Sequence, residues 1–168
     1  MARILNLIVV IFELIAFWKV RKHRKFKESL IYYTQISNIL TLVSSLLLVI
    51  FGQKAFIEVF RFLSASMLAM TFFVTVFILV PLSGRVKDFL FSGSGLFHHL
   101  LVPIVSVASY VFAEDKVSMG WIWLPALITL IYGLVMIYFN IPGMWTDLIP
   151  SLKLRRTVQE RLFFGWWL

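Results

Sequence analysis

Apolar residues run in long blocks, broken by short polar or basic stretches. Five blocks are near or above the roughly 20 apolar residues that an α-helix needs to cross a bilayer. They are Ile4 to Trp18 (interrupted by Asn6 and Glu13), about Leu30 to Phe51, about Phe62 to Leu82, about Leu96 to Ala113, and about Met119 to Asn140. A sixth stretch, "RLFFGWWL", closes the chain at Leu168 and is too short to span. Either it lies in the interface or the chain ends where a sixth helix begins. The pattern predicts an all-α polytopic membrane bundle: five spanning helices, a partial sixth, and a single integral membrane domain over residues 1–168.

Composition agrees. The 168 residues are 61% hydrophobic and 14% charged, against about half and a quarter in soluble domains. There is no cysteine, so disulfides, thiol nucleophiles and thiolate metal sites are excluded. The net charge of +8 would suggest nucleic acid in a soluble chain. In so apolar a chain it reads as loop orientation and contact with anionic lipid, so membrane lipids are the expected partners and nucleic acid is not.

The charges also orient the bundle. "KVRKHRKFK" follows the first block with six Lys/Arg, and no small-residue cleavage site precedes it, so the block reads as a helix and not a signal peptide. Alternating sides from there puts the N-terminus outside. Twelve of the sixteen Lys and Arg then fall inside, and the four outside are Arg3, Lys54, Arg61 and Lys116. The acidic "AED" turn falls outside. Aromatic residues such as Tyr32, Tyr33, Trp121 and Trp123 mark the boundaries.

Polar residues inside such helices are costly and turn toward the bundle interior. Counted at about 1.5 Å per residue, Glu13, Thr34, Thr75, His98, His99 and Asn140 all fall within roughly 5–10 Å of the inner boundary. The second helix adds a stripe of Thr34, Asn38, Thr41 and Ser45, spaced four, three and four. Ser, Thr and Asn at such positions most often hold helices together by hydrogen bonds. Glu13 needs a partner, a proton, or a reach to the interface. Neighbouring helix residues point about 100° apart, so His98 and His99 are not expected to serve one site equally. Neither a His-x-x-x-His spacing nor a third ligand close in sequence supports metal, and no cofactor is implied.

A histidine at this depth suits a general base, and a nearby hydroxyl suits a nucleophile for acyl transfer. Thr34 and Ser94 are the candidate hydroxyls, and Glu13 is placed to orient an imidazole. Asn38, Thr75 and Asn140 would complete the pocket. The substrate class would be a lipid ester, because the layer lies near the headgroups.

"YYTQISNIL", "GLFHHLLVPI" and "YFNIPGMWTDLIP" occur in this order in a group that the chain resembles, the bacterial six-helix membrane proteins named for their flanking prolines. More distantly it resembles the androgen-induced and androgen-dependent TFPI-regulating proteins of animals. These are described as membrane threonine hydrolases of fatty-acid esters. The resemblance implies a bacterial plasma-membrane location, Thr34 as nucleophile, and His98, five residues before Pro103, as base, with His99 as the alternate. Here the histidines are adjacent, whereas the animal proteins separate theirs. The competing expectation is a non-enzymatic membrane protein, a small transporter or a binding and assembly module. The outer half looks poorer in polar groups, with Ser64, Ser66, Ser106 and Ser109 the main ones, which argues against transport.

Overall fold

The structure is a computed structural model that describes residues 1–23 and 32–140. All regular structure among them is helical: α1 (Ala2–His23), α2 (Tyr33–Phe51), α3 (Ala55–Ser83), α4 (Leu96–Ala113) and α5 (Trp123–Asn140), with short helical turns at Lys87–Phe91 and Met119–Trp121. Among the described residues, four helices are long and apolar enough to cross a membrane, namely α2, α3, α4 and the Met119–Tyr138 stretch that contains most of α5. The chain is an integral membrane protein. α1 has the length, at 22 residues, but carries Arg3, Glu13, Lys19, Arg21 and Lys22. The terminal "RLFFGWWL" and most of the basic run lie outside the described residues.

The chain divides into two units, Met1–Ala126 and Leu127–Leu168. In the first, α1 to α4 run up and down in a closed ring: each packs on the next, and α4 returns to α1. The ring is apolar outside and polar inside. Leu46, Phe73, Phe77, Ile104 and Phe112 face outward. Asn6, Glu13, Asn38, Thr41, Arg61 and His98 are buried. This is the arrangement expected when the surrounding solvent is hydrocarbon, because a polar group then finds its partners only inside the bundle. In the second unit, α5 exposes Leu127, Leu130, Ile131 and Leu134, a helix apolar on several sides.

Apolar contacts set the levels at which the helices meet. Ala2, Leu48 and Ile57 cluster at one end of the bundle. Val9, Leu68 and Val102 cluster farther along. The α2–α3 turn is tight. Gly52 has φ +75, a left-handed conformation that favours glycine, whereas the Arg3 side-chain end 2.8 Å from the position of a Cβ could move aside.

α3 and α4 share a local departure. Each contains a π-helical turn, Thr75–Leu79 and Leu96–Leu101, followed closely by a proline, Pro81 and Pro103. The residue just before each proline donates five residues back: Val80 N–H to the Thr75 carbonyl and Val102 N–H to the Phe97 carbonyl. Proline lacks an N–H, and its ring crowds the carbonyl four residues earlier, so the helix widens there. These widened turns carry Thr75, His98 and His99.

Candidate functional site

The layer that holds Glu13 and the histidines begins with α1. Glu13 and Phe17 are one turn apart on the same face, and both reach His98. Glu13 Oε2 lies 3.3 Å from His98 Nε2. The Phe17 ring meets the imidazole edge-on, with centroids 5.0 Å apart. Glu13 and His98 are both fully enclosed. Their approach is close but misses the alignment of a hydrogen bond, so among the described residues Glu13 Oε1 and Oε2 and His98 Nε2 have no hydrogen-bond partner. Their proximity gives each a polar neighbour inside the bundle, where an isolated polar group is costly.

His99 turns elsewhere. Its Nδ1 lies 3.2 Å from Thr75 Oγ1 on α3. The Phe89 ring lies beside its imidazole, with centroids 6.4 Å apart. His98 is buried and His99 half-buried. The adjacent histidines therefore do face different helices, as their angular separation requires, yet each has a partner.

Thr34 opens α2 and is half-buried. Its carbonyl accepts Ser37 Oγ–H at 2.9 Å and Asn38 Nδ2–H at 2.6 Å. No hydrogen bond joins Thr34 to either histidine among the described residues. Asn38 Oδ1 and Thr41 Oγ1 are buried without partners among those residues. Ser94 accepts the His98 backbone N–H at its carbonyl, 2.9 Å away, as part of the turn that opens α4. Asn140 ends α5, and its side chain lies outside the described residues. Of the residues expected from the sequence, the fold thus pairs Glu13 with His98 and Thr75 with His99.

The middle of the bundle carries hydroxyl pairs: Ser37 with Thr71 at 3.1 Å and Ser44 with Ser64 at 2.8 Å. Each oxygen also lies within hydrogen-bond distance of a carbonyl of its own helix, so in each pair one hydroxyl donates to the other, which donates to its own backbone.

At the end where α1 begins lies a network that reading the charges as loop residues misses. Arg61 is no loop charge: it sits within α3, fully buried. Its guanidinium grips Glu114 with two prongs, Nε to Oε2 at 3.0 Å and Nη2 to Oε1 at 2.9 Å. Nη1 donates to Ser45 Oγ at 3.0 Å, and Nη2 also reaches Ser106 Oγ at 3.2 Å. Asn6 Nδ2 and Ser109 Oγ donate to Glu114 Oε1 at 2.8 and 2.7 Å. Burial alone would raise the Glu114 carboxyl, but the hydrogen bond and positive charge of Arg61, helped by Asn6 and Ser109, hold it below the usual carboxylate value. All four ring helices, or the turn that ends one, contribute to this network.

The signal was present in the sequence. Arg61 is the one basic residue between Ala55 and Val74, and Ser45 and Ser106 are the small hydroxyls that its buried guanidinium bonds. The half that the charge pattern assigns to the outside thus holds a buried charged network, so a shortage of polar groups there does not speak against transport. Comparison with protein families, with curated proteins and with solved structures finds no match for the chain.

Proposed function

We propose that the chain is an intramembrane lipid-ester hydrolase, in which a threonine hydroxyl attacks the ester carbonyl and one of the adjacent histidines takes its proton. The observation that carries this reading is the enclosed Glu13–His98 contact at 3.3 Å, a carboxylate placed against an imidazole between two helices. The resemblance assigns the nucleophile to Thr34 and the base to His98, with His99 as alternate, and Glu13 is the group that orients the ring. In this reading five helices cross the membrane, α1 included, with the N-terminus outside, in a bacterial plasma membrane.

The test is turnover of medium-chain esters, and covalent labelling by a fluorophosphonate probe, in purified protein reconstituted in liposomes. Replacing both histidines (His98→Ala with His99→Ala) is expected to lower turnover by about 10²–10⁴-fold, the usual weight of a general base. Unchanged turnover would remove the reading.

The second reading is a binding or transport protein. It is favoured by the Arg61–Glu114 network, which continues the polar interior toward the other end of the bundle. Proteoliposomes that move a polar solute, with no ester turnover, would support it instead.

A further inference from the structure

Resting on the hydrolase reading, we infer that the hydroxyl which accepts the acyl group is Thr75, with His99 as its base. Thr75 Oγ1 and His99 Nδ1 are 3.2 Å apart, the reach required between a nucleophile and the group that deprotonates it. Thr75 is 1% exposed, so its hydroxyl is held away from competing solvent.

Packing hydroxyls in this bundle behave differently. Ser37, Ser44, Ser64 and Thr71 each lie within hydrogen-bond distance of a carbonyl three or four residues earlier on their own helix, as well as of a hydroxyl on the neighbouring helix. Thr75 Oγ1 instead meets an imidazole nitrogen across a helix interface. His98 already faces Glu13, which leaves His99 as the imidazole whose observed polar partner is a hydroxyl.

The backbone also sets Thr75 apart from those packing hydroxyls. Thr75 and His99 both lie on the widened turns that precede Pro81 and Pro103. Such π turns are rare and often mark functional sites.

The step balances with water as co-reactant. Thr75 Oγ attacks the ester carbonyl carbon while His99 Nδ1 takes the hydroxyl proton. The ester C–O bond breaks, and the departing alcohol oxygen receives that proton from His99. Water then attacks the acyl-threonine, giving its proton to Nδ1. The fatty acid leaves, and the proton returns to Thr75 Oγ.

The test locates the covalent adduct. Full-length protein in liposomes is treated with a fluorophosphonate probe, digested and mapped by mass spectrometry. Thr75→Val, which keeps the shape and removes the hydroxyl, and Thr75→Ser, which keeps the hydroxyl, are assayed beside it for ester turnover and thermal melting. The expected result is an adduct on Thr75 and a loss of at least about 10²-fold in turnover for Thr75→Val at an unchanged melting temperature. Thr75→Ser is expected to retain turnover. An adduct on Thr34, or full turnover in Thr75→Val, overturns this assignment and leaves the hydrolase reading standing. A wild-type protein that neither labels nor turns over ester removes both.

Discussion

Glu13 on α1 faces His98 on α4 at 3.3 Å, eighty-five positions apart in the chain and enclosed on all sides. Neither has a better polar partner among the described residues, so each is the reason the other is tolerated in the interior. Truncating one should leave the other buried and alone. Glu13→Leu and His98→Leu are each expected to lower stability, by about 1–3 kcal/mol. The double substitution should cost less than the two together, with a coupling of about 0.5–3 kcal/mol. Denaturation of the four proteins in one detergent measures it, and strict additivity would mean that the contact carries no energy.

The Arg61–Glu114 pair should behave the same way with larger amplitudes. Arg61→Ala or Glu114→Ala strands a buried charge and is expected to cost about 3–5 kcal/mol. Arg61→Met combined with Glu114→Leu should recover much of that loss, since both charges leave together. Melting temperatures in detergent would show the recovery. A double variant as unstable as the sum of the singles would contradict it.

Glu114 also links stability to pH. Its carboxyl is held below the ordinary value in the fold, so the unfolded chain takes up its proton first as pH falls. The stabilisation is complete above the ordinary carboxylate range and is lost as pH drops through that range toward the folded value. Wild-type stability, relative to Glu114→Gln, should therefore shrink between about pH 5 and the acid limit. Parallel pH-melting curves for the two proteins would refute this.

The hydroxyl pairs of the middle layer should matter little one at a time. Ser44→Ala with Ser64→Ala is expected to show a coupling of about 0.6 kcal/mol, the average for such bonds between membrane helices. A double-mutant cycle in detergent decides it, and a value above about 2 kcal/mol would mark this layer as more than packing.

The orientation can be tested without removing any native thiol, because the chain has no cysteine. Lys87→Cys and Lys116→Cys lie on either side of α4. With the N-terminus outside, an impermeant maleimide should label position 116 on intact cells and position 87 only after permeabilisation. The reverse pattern would invert the topology.

Much of the architecture was legible along the chain. Leu96–Ala113 emerges with the limits its hydrophobic block predicts, because hydrocarbon demands a continuous apolar run and polar turns bound it. The α3 block was cut short at Phe62 because Arg61 looked like a loop charge, although the helix begins at Ala55. Hydropathy scores that guanidinium as exposed, whereas Glu114, Ser45 and Ser106 neutralise and satisfy it inside. Rise per residue placed Glu13, Thr34, Thr75 and the histidines in one layer, but depth carries no azimuth.

By itself, then, the sequence determined that this is a helical membrane protein and which polar residues lie near one depth, since both follow from hydrophobic length and a constant helical rise. Which side chains meet was decided only by tertiary structure. Pairing His98 with Glu13 and His99 with Thr75 depends on how the helices rotate and on π turns set by Pro81 and Pro103, and these bring together residues far apart in the chain.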